Sequence, residues 1–180
     1  TFLTIALTIA ATCAQAQSWT PVGAAGISAS NADWTSIAVD FSGTPYIIYM
    51  DFANSRKATV QKYNGTSWVT VGSAGFSANE ATFNSLAIDK LGTPYAAFES
   101  PIGGPASVMK YNGTSWVNVG TPGFSAGAAL TTSIAVDTSG TPYVAYEDCA
   151  NGCKATVMKY DGSSWVTVGT PGFSGGGVVY

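Results

Sequence analysis

Residues 133–148 read SIAVDTSGTPYVAYED, and residues 154–174 read KATVMKYDGSSWVTVGTPGFS. The same two phrases stand twice more upstream. They are SIAVDFSGTPYIIYMD (36–51) with KATVQKYNGTSWVTVGSAGFS (57–77), and SLAIDKLGTPYAAFES (85–100) with ASVMKYNGTSWVNVGTPGFS (106–125). A Ser-Trp pair marks the period, since Trp19, Trp68, Trp116 and Trp165 follow one another at 49, 48 and 49 residues. Self-similarity at such a period means stacked supersecondary units, each unable to bury its apolar face alone.

Each unit holds four short runs rich in β-branched and aromatic residues, and none has a helical period. In the first unit the runs are 36–40 (A), 44–50 (B), 57–63 (C) and 67–71 (D). Runs A and B meet at Ser42-Gly43, Leu91-Gly92 and Ser139-Gly140. Pro45, Pro94 and Pro142 follow at a strand start, where a missing N–H is tolerated. Asp40, Asp89 and Asp137 are expected to bond the backbone of these turns. Runs C and D meet at Asn64-Gly65, Asn112-Gly113 and Asp161-Gly162, the strongest short hairpin signal. The hairpin also accounts for the glycosylation-like triplets Asn64-Gly65-Thr66 and Asn112-Gly113-Thr114. Each unit is therefore a four-stranded antiparallel meander. Runs such as Tyr143-Val144-Ala145-Tyr146 have no polar break, so both faces need cover, and stacking unit on unit supplies it. The fold class expected is all-β, a β-propeller of three four-stranded antiparallel blades plus one extra N-terminal strand.

The stretch Val136-Asp137-x-x-Gly140-x-x-Tyr143-Val144-Ala145 resembles the turn of NHL-type propeller repeats, and the four-strand unit is similar in plan to kelch-type blades. Over residues 18–174 the chain most resembles highly repetitive, secreted bacterial β-propeller proteins. That resemblance implies architecture. Such propellers include lectins, adhesins, scaffolds, lyases and hydrolases.

The expected organisation is a signal peptide (1–16), a lone outer strand with its connection (17–35), blade 1 (36–84), blade 2 (85–132) and blade 3 with the start of a further connection (133–180). Three blades fall short of the four to eight of closed propellers. The reading is an incomplete propeller: a fragment whose further blades belong to the same protein, or a subunit that closes by self-association. Residues 1–16, TFLTIALTIAATCAQA, are uncharged and end in the small-x-small triplet Ala14-Gln15-Ala16. They read as a secretory signal cut before Gln17, with an apolar first strand as the alternative. A lipoprotein signal at Cys13 is the weaker reading, because the residues before it lack the usual leucine. The mature protein is then secreted, periplasmic or at the cell surface, with no membrane span. Cys149 and Cys153 bracket a three-residue turn. An oxidising compartment favours a disulfide. Two free thiols or a metal pair are the alternatives, and a C-x-x-x-C spacing without histidine makes a poor metal site.

Composition excludes several functions. Of 180 residues 46% are hydrophobic, enough for a core, and only 9% are charged. The net charge of −3 leaves no basic face for nucleic acid. The chain has no histidine, so Ser-His-Asp and Cys-His catalysis are out. The spacing around Tyr160-Asp161-Gly162-Ser163-Ser164-Trp165 does not meet that of a sialidase Asp-box. No catalytic residue is assigned, and no cofactor or metal is expected.

The repeats can be compared with one another. The A–B and C–D hairpins are nearly uniform. The B–C connections differ (DFANSRK, ESPIGGPAS, EDCANGCK), and so do the D–A connections (SASNADWT, SANEATFN, SAGAALTT). In a meander these two sets share one rim, where repeat proteins place recognition; relaxed drift of loops is the equal alternative. Asp51, Arg56, Glu99, Glu147 and Asp148 stand at the B–C edges of that rim, and Asp33, Trp34, Glu80 and Phe83 in its D–A segments. Aromatics beside carboxylates suit a glycan, bound by stacking and hydrogen bonds. In the plainer reading Trp34 and Phe83 anchor a blade junction and the acids are solvated. The repeated Trp68, Trp116 and Trp165, the tyrosines 63, 111 and 160, and the lysines 62, 110 and 159 read as framework. The function expected is a non-catalytic module that binds carbohydrate or a cell-surface protein, or that scaffolds. The alternative is a glycoside hydrolase or lyase using rim carboxylates.

Overall fold

The computed structural model describes residues 18–177, so the expected signal at 1–16 and Cys13 lie outside the described residues. Three four-stranded antiparallel sheets follow one another along the chain, each with its strands in sequence order. Blade 1 comprises β1 (Ala32–Val39), β2 (Pro45–Asp51), β3 (Lys57–Tyr63) and β4 (Trp68–Thr70). Blade 2 comprises β5 (Thr82–Ile88), β6 (Pro94–Glu99), β7 (Ala106–Tyr111) and β8 (Trp116–Asn118). Blade 3 comprises β9 (Ala129–Val136), β10 (Pro142–Asp148), β11 (Lys154–Tyr160) and β12 (Trp165–Thr167).

Turn chemistry makes the hairpins uniform. Asp40 Oδ1 accepts from the Ser42 and Thr44 amides, both at 2.9 Å. Asp89 and Asp137 make the same pair of bonds one and two blades on. The Ser42 hydroxyl and these amides hold the Asp40 carboxyl below its ordinary range. Asn64, Asn112 and Asp161 do the equivalent work at the C–D turns.

Strand A begins earlier than its pattern suggests, at Ala32, Thr82 and Ala129 rather than at 36, 85 and 133. A β-bulge lies in the added part. Register shifts between Asp33 and Ser36, between Thr82 and Ser85, and opposite Ala145 to Glu147. At the bulge Trp34, Phe83 and Thr131 take φ of 52°, 49° and 48°, a region that non-glycine residues seldom enter. The bulge interrupts the two-residue alternation, which is why these residues read as connection.

The blades stack through their faces, with β1 beside β5 and β5 beside β9 at the inner edge. Tyr46, Ile48, Val60, Leu86, Phe98 and Trp116 form the core between blades 1 and 2. Tyr95, Ala97, Val108, Ile134, Val144 and Tyr146 form that between blades 2 and 3. Burying each large side chain contributes about 1.5–3 kcal/mol. The outer edge of each junction is locked alike. Trp116 Nε1 donates to the Val71 carbonyl and Trp165 Nε1 to the Val119 carbonyl, both at 2.8 Å. Phe76 stacks on Trp116 at 4.1 Å, and Phe124 on Trp165 at 4.2 Å. Glycine is needed beside these bonds, because a Cβ at Gly72 or Gly120 would come within 2.8 Å of the Tyr111 or Tyr160 ring.

The extra N-terminal strand takes another form. Residues 18–31 make no ladder, and Trp19 is fully exposed. A strand D is held by strand C of its own blade, and among the described residues none precedes this stretch. It lies as a strap on blade 1, where Trp68 Nε1 donates to the Val22 carbonyl at 2.8 Å.

Candidate functional site

The B–C corners of blades 1 and 3 are built alike, and their carboxylates are structural. Asp51 ends β2 and caps the 3-10 turn Phe52–Asn54. Its oxygens accept from the Ala53 amide (3.0 Å), Asn54 Nδ2 (2.8 Å) and the Thr59 hydroxyl (2.8 Å). Asp148 caps Cys149–Asn151 and accepts from the Ala150 amide, Asn151 Nδ2 and the Thr156 hydroxyl. Both aspartates are buried. Beside them Tyr49 and Tyr146 are pushed up to about 12, first by burial and then by the neighbouring Asp51 or Asp148 carboxylate. Of the nine residues named from the sequence, these two cap turns and are not solvated rim groups.

Glu99 and Glu147 are buried at the end of β6 and β10, in the slot that Met50 fills in blade 1. Glu99 Oε2 accepts from the Thr82 hydroxyl at 2.5 Å, while its Oε1 has no partner. Glu147 Oε2 also lacks one. Arg56 and Glu80 pair at 3.5 Å on the surface, and the Arg56 guanidinium lies 5.2 Å from the Phe52 ring centre. Asp33 is exposed in β1. Trp34 and Phe83 meet across the first junction with ring centres 4.2 Å apart. They brace neighbouring bulges, in keeping with the plainer reading of the pair. Cys149 and Cys153 are joined as a disulfide, and Glu147 lies near them. With both sulfurs in that bond, the trio offers a metal only its carboxylate.

Blade 2 departs from its neighbours at this same corner. Ser100 stands where Asp51 and Asp148 stand, Phe98 where Tyr49 and Tyr146 stand, and Ser107 where Thr59 and Thr156 stand. Each change removes atoms. The chain also leaves β6 through a cis Ser100–Pro101 bond instead of a 3-10 turn. A groove of about 360 Å³ opens here, between blades 1 and 2. Its lining includes Phe76, Phe98, Ser100, Ser107, Asn79 and Asn118, of which Phe98 and Ser107 are buried and the Ser107 hydroxyl accepts from the Gly123 amide at 2.9 Å. No charged side chain lines it. An uncharged concavity with apolar surface and a few amides and hydroxyls fits one neutral ring-shaped polar ligand.

None of the nine residues named from the sequence lines this groove. Ser100, Pro101 and Pro105 of its lining lie in the varied B–C connection of blade 2, and Ala78 and Asn79 in a varied D–A connection, while other differences sit inside strands. Asn118, for example, stands where Thr70 and Thr167 stand. Grooves of about 670, 480 and 380 Å³ lie on the opposite rim, between the A–B and C–D hairpins. Each is lined by a tyrosine of the second strand and the framework lysine of its blade, Tyr95 with Lys110, Tyr46 with Lys62 and Tyr143 with Lys159 respectively.

No protein-family model matches the chain, and no curated protein sequence does. Solved structures do match its fold. A fucose lectin from Kordia zhangzhouensis, in complex with methyl-fucoside, superposes with a TM-score of 0.51 at 13% identity, over 76% of this chain and 99% of the lectin. A family 117 glycoside hydrolase from Zobellia galactanivorans gives 0.53 at 12% identity, over 77% of this chain and 55% of the hydrolase. A bifunctional GH43-CE protein of Bacteroides eggerthii gives 0.52 at 17% identity, over 78% of this chain and 21% of that one. The likeness at such identities is one of fold, an all-β propeller-type architecture of four-stranded antiparallel sheets.

Proposed function

We propose that this chain is an extracellular carbohydrate-binding module that holds a neutral sugar ring in the groove of blade 2 without transforming it. The groove carries the reading. No charged residue lines it, its lining includes two phenylalanines, two asparagines and two serines, and it lies where blade 2 departs from the repeat. Structural neighbours that include a fucose lectin and a glycoside hydrolase support a carbohydrate ligand. The signal-like start supports a place outside the cell, and among the described residues no helix is long and apolar enough to cross a membrane.

The test is a glycan array probed with the full chain and three variants. Ser100→Asp restores the residue of the other blades and puts a charge into the groove. Asn118→Ala removes an amide, and Trp34→Ala alters the rim elsewhere. Binding of a neutral glycan that is lost in Ser100→Asp, weakened about 10-fold in Asn118→Ala and unchanged in Trp34→Ala is expected. No ligand on a broad array, or binding indifferent to Ser100→Asp, refutes the reading. One observation favours a second reading, a hydrolase: Glu99 is a buried carboxyl with a partnerless oxygen. Release of reducing ends from a bound glycan, abolished by Glu99→Gln, would select it.

A further inference from the structure

The B–C corner of blade 3 gathers three ligating side chains. A Glu147 carboxylate oxygen, Cys149 Sγ and Cys153 Sγ all lie within 4.8 Å of one another. Two cysteines at this spacing are by themselves a poor metal site. The carboxylate adds what they lack. Glu147 is 7% exposed, and its Oε2 is buried with no hydrogen-bond partner. A buried carboxylate oxygen is costly unless something compensates it. Blade 2 shows the usual compensation: Glu99 fills the same slot, and the Thr82 hydroxyl opposite it in the ladder donates to it. Leu130 stands opposite Glu147 and has no donor to offer. Glu147 has two sulfurs nearby instead.

Blade 1 carries the same corner without the disulfide. Its three equivalent slots hold Met50, Phe52 and Arg56. The turn is nevertheless the same. Asp51 and Asp148 cap it through matching sets of three hydrogen bonds. Arg56 and Cys153 take φ of 59° and 53°. The Gly75 and Gly172 amides donate to the Thr59 and Thr156 hydroxyls, both at 2.8 Å. The Arg56 guanidinium stays 5.2 Å from the Phe52 ring centre with no covalent link between the two residues. The corner thus holds positions 149 and 153 together by its own hydrogen bonds. Opening the disulfide leaves both sulfurs beside Glu147.

We propose that this corner, once reduced, binds one thiophilic divalent cation of the zinc and cadmium class. A dithiol reductant supplies two electrons and two protons. Its own sulfurs become a disulfide, the Cys149–Cys153 bond breaks, and two thiols form. The cation then displaces both thiol protons to solvent and bonds two thiolates and the Glu147 carboxylate. Zinc bonds of about 2.0–2.3 Å place tetrahedral ligands about 3.3–3.8 Å apart, so the three atoms need to close by about 1 Å at most. Water takes the fourth position. Thiolates select zinc over magnesium and calcium. Disulfide and metal are alternative clasps on one corner, chosen by redox state, and the groove of blade 2 has no part in either.

The test uses the full chain carrying Cys13→Ser, which leaves only the two cysteines of this corner. Oxidised and dithiol-reduced samples, the reductant removed under argon, are titrated with Cd2+ and followed by thiolate-to-metal charge-transfer absorbance. Zn2+ affinity is measured against a chromogenic chelator. The expected result is one ion per reduced chain with release of about two protons, and none in the oxidised chain. Glu147→Gln keeps both thiols and the side-chain shape, and should weaken Zn2+ binding at least about 10-fold. Glu80→Gln, a carboxylate elsewhere on the same rim, should leave it unchanged. Circular dichroism should be the same for both variants. A reduced chain that binds no more than the oxidised one overturns the proposal. So does binding indifferent to Glu147→Gln, which two thiols alone would give, or one ion shared between two chains.

Discussion

The repeat permits a stability experiment with internal controls. Ile37, Leu86 and Ile134 occupy one position in three blades and differ in what covers them. Truncation to alanine at Leu86 or Ile134 removes buried methyl groups from a packed junction. That costs about 2–5 kcal/mol, the lost transfer energy plus the cavity left behind. At Ile37, two-thirds exposed, about a third of the 1.5–3 kcal/mol burial term is at stake, so the cost stays below about 1 kcal/mol. Urea unfolding followed by tryptophan fluorescence reads the difference. With a slope of about 2 kcal/mol per molar, Leu86→Ala and Ile134→Ala lower the midpoint by about 1–2.5 M and Ile37→Ala by less than about 0.5 M. Stability here is a sum over blades and nearest-neighbour junctions, so the two buried positions report their own junctions. If Ile37→Ala costs the monomer as much as Leu86→Ala, the account of the junctions as the source of stability is wrong.

Asp51→Ala and Asp148→Ala each remove an acceptor of three hydrogen bonds and a turn cap, and should each cost about 2–4 kcal/mol by urea unfolding; Asp40→Ala, at an exposed hairpin, should cost less than either. The raised tyrosines dictate an alkaline limit. Tyr49 and Tyr146 ionise near 12 in the folded chain and near 10 unfolded, so their contribution is complete below pH 10 and is lost as pH rises through 12. Absorbance at 295 nm, compared with that of Tyr49→Phe and Tyr146→Phe, should place both ionisations near 12, and stability that is flat from pH 9 to 12 would contradict this. Reduction of Cys149–Cys153 adds 2 Da in mass spectrometry, and because the ring is so short it should lower stability by no more than about 2 kcal/mol.

The legible parts of this protein are those fixed by neighbours in sequence. Asn-Gly and Asp-Gly pairs name the C–D hairpins, the aspartates at 40, 89 and 137 name the A–B turns, and the prolines at 45, 94 and 142 open the second strands. Strand A was legible only in its regular half, because the bulge at Trp34, Phe83 and Thr131 breaks the alternation that marks a strand. The site was less legible still. Polar residues in the B–C connections looked available, yet Asp51 and Asp148 are spent on backbone amides and Thr hydroxyls inside their own corners. Whether a carboxylate faces water or a neighbouring amide depends on the path of the chain two to eight residues on, which composition does not encode.

Sequence alone determined the repeat, the strand count of each unit, the hairpins and the need for cover on both faces. These follow from local dihedral preference and two-residue periodicity, and each needs only a few adjacent residues. Tertiary structure decided which residues fill each junction. It also decided that a groove opens at the B–C corner of blade 2. Those outcomes depend on volume. Phe98, Ser100 and Ser107 are unremarkable as letters, and they matter because the atoms they lack, beside a differently routed loop, leave space between two packed sheets.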